Sequence, residues 1–407
     1  MINIFQSNLS KSIKYILSQK LIKILINLLV FLVLGIILEP EIYGIYSLHY
    51  AYALLGCAIV SGGLDELIMK KLLDSNPPTL LEMIFLKFIY LAIFILLTLA
   101  FFESLSEKFI YLVGVVFSIF IISHAKIESQ AKGKNLSIYV ILMTLFFSLI
   151  KIYFIGKVEN QIYFLGLIFA LENIFISFVP FLFLINRKEN KINLMRFLEC
   201  VKSCLPLWLS SVLFILSARV DYYLLNKYFD VSTLGTYSLV SRLIEQSYVL
   251  PNIIFSSMMV MIVYKSNNNQ RNELYMYRMA FYGGLLLGIL VFIFSSIILF
   301  VKNILDIYWY LIAFFLSLCI PFASLRVANS KFIIIDNMNS VYLKRTILTF
   351  LFSIIISTLM IDKFGVIGLS ISVLMTIFFS SLLFDLISTD TRKYFKVKIA
   401  AISLLKE

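Results

Sequence analysis

The residues best suited to chemistry are charged side chains inside two consecutive apolar runs near the middle of the chain. They are Arg219, Asp221, Arg242 and Glu245. A charged side chain at the centre of a bilayer costs about 2.5–3.5 kcal/mol on insertion scales, so it usually faces protein or water and marks a functional site. Arginine suits anion binding there, because its planar guanidinium grips phosphate oxygens in pairs. We therefore expect Arg219 and Arg242 to bind an anionic headgroup, with the carboxylates pairing with them or coupling the site to a cation.

The spacing of these four residues predicts which of them meet. Arg219 and Arg242 lie on consecutive antiparallel helices, each roughly 10–13 Å from the outer end of its helix at about 1.5 Å of rise per residue. Glu245 lies one turn deeper than Arg242 on the same face, whereas Asp221 lies two residues from Arg219 and points elsewhere. The cluster fits either a buried ion-pair network that locks two helices together or an anion site in a water-filled cavity.

Four further charged residues fall inside other apolar runs. They are Lys23, Lys87, Lys151 and Glu172. Each lysine either contributes to the anionic-headgroup site or extends its ammonium to the nearer membrane surface. Glu172 is either a protonatable coupling group or the partner of a basic or polar neighbour. The chain has only 2 histidines and 4 cysteines, and no histidine is near the Cys200 and Cys204 pair in sequence, so we expect no metal site.

The elements that must position these residues are membrane-spanning helices. The chain has 407 residues, of which 61% are hydrophobic and 14% charged, whereas soluble domains carry about 25% charged residues. Its mean hydropathy is +0.96. Apolar runs of about 20 residues, long enough to cross a bilayer as a helix, recur from end to end. Because lipid offers no partner for backbone polar groups, the sequence predicts an all-α polytopic membrane protein.

Twelve transmembrane helices are predicted from these runs. They cover residues 14–38, 42–62, 79–101, 108–125, 136–156, 162–185, 204–226, 234–262, 278–301, 304–324, 342–361 and 364–387. When residues near the span ends are counted with the adjoining side, 25 of the 35 Lys and Arg residues fall on the side of the N-terminus, 5 on the opposite side and 5 deeper within spans. Basic residues concentrate in cytoplasmic segments. This bias explains the net charge of +12 without nucleic acid as a partner, and it places both termini in the cytoplasm.

Residues near the predicted span ends have simpler expected roles. Tyrosines near the outer ends of the seventh and eighth spans are expected to form an aromatic belt at the outer interface. They are Tyr222, Tyr223, Tyr228 and Tyr237. Asp385, at the inner end of the last span, is expected to be interfacial.

The two halves of the chain echo each other. The motif GIYSL at Gly44–Leu48 recurs as GTYSL at Gly235–Leu239, and each copy opens an even-numbered span after an outer turn. This parallel repeat predicts two six-helix bundles around a central cavity, as is usual for transporters that alternate access. The predicted domains are residues 1–185, an amphipathic cytoplasmic linker at 186–203, and residues 204–407 with a short cytoplasmic tail. Gly44, Gly235 and Pro251 are candidate hinge positions.

The stretches LPLWLSSVLFILSARVDYYLL and LGTYSLVSRLIEQSYVLPNIIFSSM resemble the seventh and eighth spans of Wzx-type polysaccharide flippases. These flippases belong to the multidrug/oligosaccharidyl-lipid/polysaccharide (MOP) exporter superfamily. The matching positions are Pro206, the R-x-D motif at Arg219, the G-x-Y-S motif at Gly235, and Pro251. The segment AKGKNLSIYVILMTLFFSLIKIYFI is similar to the fifth span of the family and places Lys151 on its lysine position.

The resemblance implies translocation rather than enzymatic chemistry. Such proteins move a polyprenyl-diphosphate-linked oligosaccharide, the repeat unit of O-antigen or another surface polysaccharide, from the inner to the outer leaflet of the bacterial cytoplasmic (inner) membrane. The energy source that the resemblance implies is cation exchange, with Asp221, Glu245 and Glu172 as the candidate groups. Expected partners are the lipid-linked substrate, membrane lipids, a polysaccharide polymerase and chain-length proteins. No cofactor is expected, since the sequence contains no phosphate-cradling GxxxxGK[ST] motif.

Three alternatives remain open at the level of sequence. A drug/cation antiporter of the same superfamily would favour acidic and aromatic cavity residues, whereas the five basic residues within spans here outnumber three deep acids. A lipid II flippase would share the fold but commonly has fourteen spans. A membrane glycosyltransferase or polysaccharide polymerase would usually carry a large outer loop or a soluble catalytic domain, and neither is evident.

Overall fold

The computed structural model describes residues 2–61, 79–101, 108–129, 133–183, 193–267, 273–336, 338–387 and 389–403. Within these ranges the regular structure is helical and includes no strand, which confirms the all-α prediction. By length and composition, 8 of the described helices are able to cross a membrane. Each of the twelve predicted intervals contains described helical residues, but several helices extend beyond their intervals and the helix Arg392–Ile402 lies outside all of them.

The chain divides into two compact units. The first unit comprises Met1–Ile37 and Ile45–Ile215. Its helices are α1 (Ile2–Ile37), α2 (Pro40–Ser61), α3 (Leu80–Phe101), α4 (Lys108–Phe117), α5 (Ile122–Ser129), α6 (Gly133–Phe154), α7 (Gln161–Asn173), α8 (Val179–Leu182) and most of α9 (Leu194–Ser217). A 3₁₀ turn at Ser118–Ile121 joins α4 to α5, and a π-helical turn at Ile174–Phe178 joins α7 to α8.

The second unit comprises Leu38–Gly44 and Leu216–Glu407. Its helices are α10 (Val220–Tyr228), α11 (Val231–Asn267), α12 (Glu273–Val301), α13 (Ile307–Ser317), α14 (Cys319–Ile335), α15 (Asn339–Ser381) and α16 (Arg392–Ile402). The short segment Leu38–Gly44 joins this unit by its contacts, although it precedes most of the first unit in sequence.

The helices of the second unit pack closely on one side and expose apolar side chains on the other. On α12, Gly284 is buried so tightly that an added Cβ would lie 2.7 Å from the Cα of Pro321. Small residues allow this approach of helix backbones, which is the usual packing mode in membranes. Between these buried positions, Leu286 and Phe300 of α12 are 63% and 67% exposed. An apolar face of this kind suits contact with lipid tails.

The seventh predicted span is interrupted between Ser217 and Val220. The eleventh and twelfth spans together make up α15, which has a kink at Gly365, where φ is +60°, next to the predicted boundary between residues 361 and 364. Of the predicted linker at 186–203, residues 186–192 lie outside the described range, and the rest is continuous with the seventh span as α9. The tail beyond the last predicted span forms the helix α16.

Candidate functional site

The interruption of the seventh span lies at Arg219. This residue has φ −122° and ψ 2°, outside the helical region, and serves as the N-cap of α10. Its amide N–H donates to the carbonyl oxygen of Leu216 at 3.0 Å, so the backbone donor is satisfied at the break. Broken helices at membrane depth are a recurrent way of presenting backbone and charged groups to a site.

Arg219 and Arg242 meet at a single carboxylate. Nη1 of Arg219 lies 2.6 Å from Oε1 of Glu245, and Nη1 of Arg242 lies 3.2 Å from Oε2. Each arginine therefore holds one carboxylate oxygen. The side chains of Arg219 and Glu245 are 16% and 22% exposed, whereas that of Arg242 is 2% exposed. We call these three residues the arginine–glutamate cluster. It contains two cations and one carboxylate, and the side chains of Arg219 and Glu245 are partly exposed.

Tyr222 packs against both arginines. Its ring centroid lies 5.2 Å from Cζ of Arg219 and 5.2 Å from Cζ of Arg242, within the range of cation–π attraction. Its hydroxyl shares a hydrogen bond of 2.8 Å with Oγ of Ser241. The ring is thus held from one end and faces both guanidinium groups. Tyr222 positions the two cations relative to each other.

The Asp221 carboxylate is bound by two neutral donors. Its Oδ2 accepts a hydrogen bond from the Tyr237 hydroxyl at 2.8 Å, and its Oδ1 accepts one from the Tyr222 amide at 2.9 Å. Tyr237 is the tyrosine of the GTYSL motif. Tyr222 and Tyr237 are both buried, so their assignment to an aromatic belt is wrong. Tyr237 donates to Asp221, and Tyr222 packs against both arginines. The sequence signal for these roles was the position of both tyrosines near Asp221.

The two copies of the repeated motif meet at their glycines. A Cβ on Gly235 would lie 1.8 Å from the carbonyl oxygen of Pro40, and one on Gly44 would lie 2.2 Å from that of Val231. Both glycines lie within helices, and neither has a positive φ. The first turns of α2 and α11 approach each other closely, because neither Gly44 nor Gly235 has a side chain. Their role as hinges stays a proposal.

Pro251 lies in the interior of α11, which continues through it as a helix. The sixth span departs further from a regular α-helix. There Pro180 follows a π-helical turn, and the carbonyls of Phe175 and Ile176 accept hydrogen bonds of 2.8 Å from the Tyr139 hydroxyl and from Nε2 of His124. Side chains from other helices thus satisfy backbone groups in this turn, as lipid surroundings require.

The remaining predicted site residues belong to the first unit. Nζ of Lys151 lies 2.6 Å from Oε2 of Glu172, and their side chains are 11% and 12% exposed. Glu172 is therefore the partner of a basic residue. Lys87 is fully buried, and Lys23 is partly buried. Both of these lysines lie near enough to Cys57 to interact electrostatically with its thiol.

A second charge cluster, not anticipated from the sequence, anchors the C-terminal helix. Asp385 is fully buried, so its predicted interfacial position is wrong. Its Oδ1 lies 2.7 Å from Nη1 of Arg345, and its Oδ2 lies 2.5 Å from Nζ of Lys398 on α16. Burial lowers the pKa of the Lys398 ammonium to about 8 against the opposing effect of Asp385. We call these three residues the aspartate cluster.

Comparison with known protein families gives no match to this sequence. Comparison with curated proteins gives none either.

Solved structures, in contrast, share the whole fold. An inward-facing multidrug resistance MATE family transporter of the MOP superfamily superposes with TM-score 0.70 and 11% identity, over 93% of this chain and 95% of that chain. Lipid II flippase MurJ in an inward closed conformation superposes with TM-score 0.67 and 14% identity, over 96% of this chain and 91% of that chain. A MATE protein in a bent conformation gives TM-score 0.58 at 14% identity, over 97% of both chains. The chain therefore has the fold of MOP-superfamily transporters and flippases.

Proposed function

We propose that this protein is a flippase that carries a polyprenyl-diphosphate-linked oligosaccharide from the inner to the outer leaflet of the bacterial cytoplasmic membrane by alternating access. The observation that carries the proposal is the arginine–glutamate cluster, in which two guanidinium groups converge on one carboxylate inside an apolar helical unit. A diphosphate loses much hydration on leaving water, and paired arginines offset that loss. The repeat unit is the membrane-crossing form of a surface polysaccharide such as O-antigen.

The fold likeness supports the same class of function. One structural neighbour is a lipid II flippase, and others are multidrug transporters. Moving a lipid-linked headgroup requires a cationic site for the head while the polyprenyl tail stays in lipid. Basic residues outnumber acidic residues within the predicted spans of this chain, which suits an anionic headgroup.

Arg219 and Arg242 are assigned the first role in binding the diphosphate. Lys151 is held by Glu172, and Lys87 is buried, so the lysines of the first unit are assigned secondary contacts that require a change of partner. Lys23, partly buried, belongs with these secondary contacts. Asp221, Glu172 and Glu245 are the candidate groups for cation coupling.

The decisive test is made in cells depleted of this protein. We expect surface polysaccharide to be lost and lipid-linked oligosaccharide to accumulate on the cytoplasmic leaflet, where the trapped glycan identifies the substrate. Re-expression of the wild-type chain should reverse both effects. Normal surface polysaccharide together with normally distributed intermediates, in a strain without a second flippase, would reject the proposal.

A drug/cation antiporter is the second candidate. The specific observation in its favour is that a multidrug resistance transporter superposes with TM-score 0.70. Its cargo would be cationic and would need accessible carboxylates, whereas the carboxylate of Glu245 is already shared by two arginines. Greater sensitivity of depleted cells to cationic drugs, with unchanged polysaccharide, would favour this candidate.

A further inference from the structure

We propose that Glu245 is an exchangeable counter-anion, which occupies the anion site until the diphosphate of the substrate displaces it. The proposal rests on the proposed function, since it concerns the same two arginines. The additional claim is that the Glu245 carboxylate and the substrate diphosphate compete for these arginines. Because protonation of Glu245 weakens its hold on them, substrate binding is linked to that protonation.

The geometry of the cluster carries this inference. The two carboxylate oxygens of Glu245 contact different arginines, at 2.6 Å and 3.2 Å. Two oxygens bound by two guanidinium groups is also the arrangement that a diphosphate would adopt. Glu245 thus occupies the position of the diphosphate, and its negative charge is smaller than that of the diphosphate. The 22% exposure of its side chain and the 16% exposure of that of Arg219 allow an exchange without unfolding of the unit.

The surroundings make Glu245 the group that exchanges, rather than Asp221. The Asp221 carboxylate is held by the Tyr237 hydroxyl and the Tyr222 amide, and its side chain is buried. Nothing in that arrangement has to change when an anion enters. Glu245 is held by the two cations that the substrate itself would need, so binding of a diphosphate has to displace it.

The other groups that face Glu245 set its response to pH. Arg242 lies on its own helix, and Arg219, Asp221 and Tyr222 lie on the preceding segment. The other electrostatic neighbours of Glu245 are Tyr43 on α2 and, on other turns of α11, Tyr237 and Tyr248. Protonation of Glu245 removes the negative charge that holds the two arginines and frees both guanidinium groups for a dianion.

Direct binding of a small diphosphate diester tests the exchange. The probe is symmetrical dimethyl diphosphate, which keeps two negative charges across the accessible pH range, titrated calorimetrically into the full chain in lipid nanodiscs. For Glu245→Gln we expect binding about tenfold tighter at neutral pH, the effect of one charge-assisted hydrogen bond. At a pH low enough to protonate Glu245, we expect the affinity of the wild type to approach that of the variant.

The control is Glu159→Gln, which changes an exposed carboxylate of the other unit and should leave the affinity at each pH as in the wild type. Equal or weaker binding by Glu245→Gln, while the wild type binds and Arg219→Gln does not, would overturn the exchange and leave the anion site intact. Failure of both wild type and folded Glu245→Gln to bind the probe would instead contradict the anion site itself, and with it the proposed function.

Discussion

The second unit contains two clusters that have the same set of charges, two cations and one carboxylate, but different surroundings. In each, one carboxylate lies between two cations: Glu245 between Arg219 and Arg242, and Asp385 between Arg345 and Lys398. The carboxylate side chain is 22% exposed in the arginine–glutamate cluster and 0% exposed in the aspartate cluster. Composition alone therefore does not tell a binding site from a structural lock.

The aspartate cluster has the features of a lock. Nζ of Lys398 also donates to the carbonyl of Ser381 at 2.6 Å, and the amide of Asn329 donates to Asp385 at 3.2 Å. Beside the cluster, Tyr394 of α16 is buried and donates to Asp336. The contacts of Lys398 and Tyr394 fasten α16 to the rest of the unit, and the contact of Asn329 holds the Asp385 carboxylate. A carboxylate that is fully buried among so many internal partners leaves no position for a ligand.

The largest expected effect comes from removing the centre of the lock. Asp385→Asn leaves Arg345 and Lys398 buried without their counter-charge, which should lower the free energy of unfolding by about 3–5 kcal/mol. Denaturant unfolding of the purified chain in mixed micelles measures this change. The matched control is Asp362→Asn, an exposed carboxylate on α15, which should stay within about 0.5 kcal/mol. Equal shifts for the two variants would remove the distinction between the clusters.

The second effect is on transport. Arg219→Ala and Arg242→Ala each remove one guanidinium from the accessible cluster, and we expect each to lower transport by at least about tenfold while the chain still inserts into the membrane. Surface polysaccharide and the leaflet distribution of the lipid-linked intermediate are the measurements. Lys227→Ala, an exposed cation on α10, should transport as the wild type does. Normal surface polysaccharide in both arginine variants would reclassify the cluster as structural.

The third effect is on stability, and it tests whether the close backbone contact at Gly235 is required. Gly235→Ala would bring a Cβ to 1.8 Å from the Pro40 carbonyl oxygen, so backbone has to move, at a cost of about 1–3 kcal/mol. Gly283→Ala has open space at its Cβ and should be neutral or stabilising by up to about 1 kcal/mol. Thermal unfolding of the two variants side by side decides the question. A Gly235 variant as stable as the Gly283 variant would show that the close contact is dispensable.

The smallest effect comes from one hydroxyl. Tyr222→Phe removes the hydrogen bond with Ser241 but keeps the ring against both arginines, so we expect a loss of about 0.5–1.5 kcal/mol in stability with transport retained. Tyr223→Phe, on an exposed side chain, should change neither quantity. Loss of transport in Tyr222→Phe at unchanged stability would assign the hydroxyl itself to the substrate.

Much of the site could be predicted from spacing along single helices. Glu245 and Arg242 are three residues apart, and any helix brings such a pair to one face. The convergence of Arg219 on the same carboxylate followed from two antiparallel neighbours of similar depth. The break at Arg219 could not be predicted, because no proline or glycine marks it and packing against α11 decides it.

The failures share a physical cause. Asp385 was taken for an interfacial residue because it lies at the end of an apolar run, where water is the default neighbour. Tyr222 and Tyr237 were taken for belt residues for the same reason. In each case, a partner distant in sequence removes the side chain from water, and a hydropathy pattern carries no information about such a partner.

The sequence by itself determined the helical class, the positions of the apolar segments and the presence of charge within them, because the cost of exposing backbone or charge to lipid acts on each segment separately. Only the tertiary structure decided which charges meet, which of them water can reach, and which serve as a lock. Those properties depend on distances between helices, and the same two-cation, one-carboxylate group is a lock at Asp385 and an accessible site at Glu245.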